Sequence, residues 1–121
     1  MSDYSFHDKL KLLMHDYVLL SYKLSAKYPS DERFGLTSQD RRESVSVILN
    51  YVEGYARMRD AVKLNFYETS FASLKESIYT KFLAKELGYI LENDYQEAKK
   101  LEDEISAMLF KTNEGIRKKI K

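Results

Sequence analysis

The sequence predicts an all-α protein, an antiparallel up-down-up-down four-helix bundle, on three observations. Its 121 residues include only four glycines and one proline, the two residue types that most often interrupt helices. No alternating run flanked by hairpin turns marks a strand. Four stretches instead repeat apolar residues every three or four positions, the period that gathers them on one side of a helix. A chain of this length forms a single domain, 1–121, and can bury a core without help from a metal or a disulfide.

The first helix is expected from about Tyr4 to Lys27. Phe6, Leu10, Leu13, Tyr17, Leu20 and Leu24 follow at intervals of four, three, four, three and four, one continuous stripe. Tyr28-Pro29 ends it, because a proline disfavours helical geometry in the residue before it. The second helix begins near Thr37 or Ser38, either of which can cap, with Asp40 at capping-box spacing from Thr37. Val45, Ile48, Leu49, Val52 and Ala56 form its apolar side. The third runs roughly from Asp60 to Leu87 and stops at Gly88, a natural left-handed terminator. The fourth opens at Asn93, with Gln96 three residues on, and its stripe is Ala98, Leu101, Ile105, Met108 and Thr112. Short links after the second and third helices favour antiparallel neighbours.

Two helices carry a further signal. Leu12, Leu19, Tyr22 and Ala26 lie nearly opposite the main stripe of the first helix. In the third, the bulky stripe Leu64, Tyr67, Phe71, Leu74, Ile78 and Phe82 is accompanied by a narrow one, Ser70, Ser73, Ser77 and Ala84, where another helix can come close. A helix that is apolar on two sides is central in a larger core or buried again by another copy, and a homo-oligomer is therefore expected.

Composition narrows the function. With no cysteine there is neither a disulfide framework nor a thiolate zinc site. The first five residues lack a basic region followed by an apolar run, so no signal peptide is expected. No stretch approaches the roughly 18 apolar residues of a membrane span. A cytoplasmic protein with no membrane partner is expected. Twenty basic residues against nineteen acidic leave a net charge of +1. Binding to nucleic acid would therefore rest on a local patch and not on a general basic excess.

Catalytic patterns are missing. A di-iron bundle needs Glu-x-x-His pairs, and neither His7 nor His15 has a glutamate three residues before it. Both read as surface histidines. There is no phosphate-binding glycine loop, nucleophile elbow or zinc-protease motif. No enzymatic activity, metal or cofactor is expected. The polar side of the second helix is more informative. Gln39, Ser46, Asn50, Glu53 and Arg57 cluster there, either as a solvated face or as a hydrogen-bonded network between helices or subunits that fixes their register. Arg41, Arg42, Arg57 and Arg59 flank that face at both ends of the helix. Guanidinium forks suit phosphate, and Tyr51 and Tyr55 lie where they can stack on bases. Lys118 and Lys119, between Arg117 and Lys121, form a basic tail expected to be a mobile auxiliary. These residues point to RNA or DNA, the competing reading being ion pairs within and between helices.

The stretch Glu32-Arg33-Phe34-Gly35-Leu36-Thr37-Ser38-Gln39, with Arg41-Arg42, Val45-Ser46, Asn50, Glu53-Gly54 and Arg57, resembles the signature of the bacterial 23S rRNA intervening-sequence protein family. The run Ser73-Leu74-Lys75-Glu76, then Ala84 and Leu87-Gly88-Tyr89-Ile90, is similar to that family's third helix. The resemblance implies an antiparallel four-helix bundle assembled as a ring-like homopentamer, with nucleic-acid binding as the usual proposal for its role. A related branch, the accessory variability proteins of diversity-generating retroelements, implies a second class of function: a scaffold that docks a reverse transcriptase. Those proteins are strongly basic and this chain is not. This favours a protein partner under the scaffold reading.

Overall fold

The computed structural model describes residues 3–120, and among them are four α-helices and no strand. The helices are α1 (Asp3–Ser25), α2 (Leu36–Ala56), α3 (Asp60–Glu86) and α4 (Glu92–Ile120), with one turn of 3-10 helix at Ser30–Glu32. Each helix packs on its neighbours in sequence and α4 closes back on α1, so α1 faces α3, and α2 faces α4, across the diagonals of a square. The links 57–59 and 87–91 are too short to let the chain return to its starting end, which makes successive helices antiparallel. Contacts at the ends agree: Lys27, past the end of α1, pairs with Asp94 in the first turn of α4 at 3.1 Å.

Helix boundaries follow local chemistry, with two corrections. Neither Thr37 nor Ser38 caps α2. The helix starts at Leu36, whose N–H donates to Glu32 Oε1 at 3.1 Å, with Gly35 in the cap position. Nor do Asn93 and Gln96 box the start of α4. Leu91 N–H donates to Asp94 Oδ2 at 3.0 Å, and Gln96 reaches Glu92. The end of α3 is as expected. Gly88 takes φ 81°, Tyr89 N–H bonds Ala84 O at 2.8 Å, and Gly88 N–H bonds Lys85 O at 3.0 Å. These are the two bonds of a Schellman motif.

The core is largely the one the periodicity outlines in α1. Leu10, Tyr17, Leu20 and Leu24 are buried, with Phe6 and Leu13 packed at its margin. The apolar side expected for α2 points the other way. Leu49, Val52 and Ala56 are exposed and Val45 and Ile48 half-buried, while the buried face is Asp40, Ser44, Val47, Tyr51 and Gly54. The narrow stripe of α3 is likewise spent inside the protomer: Ser70, Ser73, Ser77 and Ala84 are all buried. Ser70 Oγ donates to Val47 O at 2.6 Å, so it is α2 that approaches closely. In α4 the buried line is Ala98, Glu102, Ile105, Leu109, Asn113 and Ile116, with Leu101, Met108 and Thr112 at its edge. No helix among the described residues is long and apolar enough to cross a membrane.

Candidate nucleic-acid interface

What positions the surface of α2 is a polar seam beneath it. Asp40, fully buried, accepts from Tyr28 Oη at 2.7 Å, Lys81 Nζ at 2.7 Å and Ser77 Oγ at 3.2 Å. Lys81 is also without solvent contact, donates to Ser77 Oγ at 2.8 Å and lies 4.5 Å from the centre of the Tyr17 ring. Tyr17 Oη donates to Ser77 Oγ at 3.0 Å. The cluster ties α1, α2, α3 and the segment after α1 into one register. Burial pushes the Lys81 ammonium below its ordinary value even though Asp40 favours the charge. Burial, then the Asp40 carboxylate, pushes the Tyr28 phenol far up. The spacing of apolar residues does not reveal this cluster, since Asp40 reads only as a capping residue for Thr37 and Lys81 belongs to no apolar stripe. The signal was there: Lys81 stands four residues after Ser77 and three before Ala84, on the line of small residues.

With that seam inside, the outer face of α2 joins the second stripe of α1. Leu12, Leu19 and Tyr22 of α1 and Leu49, Val52 and Tyr55 of α2 are all exposed. Tyr22, Val45 and Leu49 share the wall of one open groove of about 550 Å³, which Arg41 and Arg42 also line. Arg41 is the better organised of the two. Its Nε donates to Ser25 Oγ at 2.8 Å and its guanidinium lies 4.7 Å from the Tyr22 ring centre. That fixes the fork while leaving both terminal nitrogens to bind an anion.

The candidate arginines divide between the two ends of the bundle. Arg41 and Arg42 lie near the start of α2, and Arg57 and Arg59 just past its end, about 24 Å away at 1.5 Å per residue. Arg57 is paired with Glu53 at 2.6 Å and lies 5.2 Å from the Phe66 ring centre. Arg59 is exposed and precedes α3, its carbonyl accepting the N–H groups of Val62 and Lys63. Lys118 and Lys119 are exposed on the last turns of α4, within the helix and not on a tail beyond it; Lys121 lies outside the described residues. Arg117 bonds Glu68 of α3 at 2.7 Å, which brings this end of α4 beside Arg57 and Arg59.

The polar side of α2 is realised in pieces. Ser46 Oγ meets Ser73 Oγ of α3 at 2.8 Å, and Asn50 Nδ2 donates to both Ser46 O and Ser46 Oγ at 2.9 Å. Glu53 goes to Arg57 and Gln39 to Glu43, so the five side chains do not form one chain of bonds. Tyr51 is buried, stacked on Tyr67 with ring centres 5.0 Å apart, and has no face to offer a base; Tyr55 has one. His7 is half-buried, bonded to Tyr51 Oη and set against the Tyr55 ring, whereas His15 is on the surface. Among the described residues no group of three His, Asp or Glu side chains is placed to hold a metal ion.

The profile of the 23S rRNA-intervening sequence protein family matches residues 10–111 of the chain. No curated protein matches. Among solved structures, the chain is similar to a protein of unknown function from the S23 ribosomal protein family of Bacteroides thetaiotaomicron VPI-5482. The TM-score is 0.79 at 18% identity, over 86% of this chain and 97% of the other.

Proposed function

The chain belongs to the 23S rRNA-intervening sequence protein family, and from that premise we propose that it is a non-enzymatic homo-oligomer, a pentameric ring, that binds RNA or DNA through arginines repeated around the assembly. The observation that carries the proposal is a pair of unlike exposed apolar faces. One is the α1–α2 face of Leu12, Leu19, Tyr22, Leu49 and Val52; the other is Tyr79 and Leu83 on α3, the helix diagonal to α1, with Leu87 just past its end. A two-fold dimer needs a single self-complementary patch, whereas head-to-tail contact between different patches generates a ring when the rotation between copies closes. Each copy then contributes Arg41 and Arg42 next to the seam, with Arg57, Arg59, Lys118 and Lys119 at its other end. A near-neutral subunit gains avidity from such repetition.

Native mass spectrometry and RNA titration across a salt series test this together. Five copies are expected, with affinity for a single strand falling steeply as salt rises, the log–log slope being about −0.7 per phosphate neutralised. Arg41→Glu with Arg42→Glu should weaken binding about tenfold or more at low salt. A stable lone protomer at micromolar concentration, or RNA binding indifferent to salt, overturns the proposal. The net charge of +1 favours one competing reading, a ring that docks a reverse transcriptase or another protein. A pull-down that keeps its partner after nuclease treatment would establish that reading instead.

A further inference from the structure

At the end of the bundle where α1 and α3 begin and α2 and α4 finish, residues from all four helices line an open cavity of about 630 Å³. That size falls within the roughly 300–1,000 Å³ typical of small-ligand pockets. Three lysines, Lys63, Lys111 and Lys119, line it against one carboxylate, Asp60. Several cations elsewhere are held in pairs, Lys27 with Asp94, Lys75 and Lys99 with Glu102, Arg117 with Glu68. Lys111 and Lys119 make no ion pair among the described residues. Lys63 is fixed in place, donating to Tyr55 O at 2.9 Å and Gly54 O at 3.3 Å, and an ammonium with three donors keeps one for a ligand. Beside these charges the wall carries the rings of Phe6 and of half-exposed Tyr55, with the edge of the nearly buried Tyr67 at its base. Like charges gathered in a concave, partly apolar site focus a field on an anion, and flat rings next to them suit a planar group.

We propose that this cavity binds a nucleotide, its base against the aromatic wall and its phosphate between Lys63, Lys111 and Lys119. The site is separate from the Arg41–Arg42 groove and does not depend on oligomeric state; it shares Lys119 with the basic end of the proposed nucleic-acid surface, while Lys63 and Lys111 belong to it alone. The same chemistry is offered by a free nucleoside monophosphate and by the 5′-phosphorylated end of an RNA strand.

Gly115 provides a fold-safe test. It lines the cavity, and a Cβ built there meets nothing within 4 Å, so Gly115→Leu extends into open space while raising helix propensity. The full-length protein is titrated calorimetrically at low salt with AMP, with a short 5′-phosphorylated oligoadenylate, with the same strand lacking that phosphate, and with inorganic phosphate. AMP should bind the native chain. Affinity should drop about tenfold or more in Gly115→Leu, and by a similar factor in Lys111→Gln with Lys119→Gln, with the melting temperature maintained. If only the phosphorylated strand binds and Gly115→Leu removes that binding, the site stands with a strand end as its ligand. Inorganic phosphate binding as tightly as AMP overturns the role of the rings. Absence of binding by AMP and the phosphorylated strand, or binding unaffected by Gly115→Leu, overturns the site.

Discussion

Lys81 holds its ammonium where no water reaches it, among Asp40, Ser77 and the face of Tyr17. A buried pair of this kind adds little net stability over a well-packed apolar pair, but breaking one side of it is costly. Lys81→Met is therefore expected to destabilise the fold by about 3–5 kcal/mol in urea denaturation, because it strands the Asp40 carboxylate. Adding Asp40→Leu should return part of that loss while orphaning the Tyr28 hydroxyl, and Tyr28→Phe on top should return more. If Asp40→Leu deepens the loss instead, the pair is net stabilising and this account of it fails. Single-residue readings from sequence failed here for one reason. Asp and Lys are so seldom fully buried that pattern alone assigns them to the surface. Glu102 is the same case: it has no solvent contact, yet Lys75 and Lys99 each reach it at 2.6 Å.

At the scale of the helix, α2 and α3 pack through small residues and hydroxyls. Ser70, Ser73 and Ser77 of α3 bond Val47, Ser46 and Asp40 of α2, and Gly54 lets Tyr67 lie against the helix backbone. A Cβ on Gly54 would stand 2.7 Å from Tyr67 Cε1 and 3.0 Å from Phe66 Cβ. Gly54→Ala should therefore lose about 1–3 kcal/mol from overpacking, despite alanine's better helix propensity. Gly115→Ala, with open space around it, should gain about 0.5–1 kcal/mol. Thermal melts of the two variants check the contrast, and equal shifts would mean that the Gly54 contact does not govern helix approach. Four helices, their order and the Gly88 stop were legible from spacing and breakers. The inward face of α2 was not. Its apolar residues Leu49 and Val52 form the more regular stripe, and nothing local says that this stripe faces out while Asp40 and Ser44 face in. Of the proposed site, the arginines were legible as residues. The Arg41–Tyr22–Ser25 arrangement needed the fold, since it joins helices sixteen or more residues apart in sequence. The end cavity draws on all four helices, so no window of sequence contains it.

Over the whole molecule, ten tyrosines make alkali a probe of packing. Burial raises the phenols of Tyr17, Tyr28 and Tyr51 well above their ordinary range, with Asp40 adding to the effect at Tyr28, and pushes Tyr67 up to about 12. A group whose pKa is higher folded than unfolded gives stability that is complete below the unfolded value and lost as pH climbs through the folded one. The melting temperature should thus fall from about pH 10 upward, with part of the tyrosinate absorbance appearing only as the chain unfolds. Lys81, lowered by burial, tilts the other way below its unfolded value near 10.5. It is one group against four phenols, so the fall should prevail. Ionisation of every tyrosine in the still-folded protein would contradict the burial described for those four. The inverted dressing of α2 has a further consequence for how such a protein can change. Directional bonds to Asp40, Ser46 and Val47 hold the helix in its slot. The greasy exterior is thereby released from folding duty, and a lineage can re-letter Leu49 or Val52 to suit a new associate while its scaffold stays put.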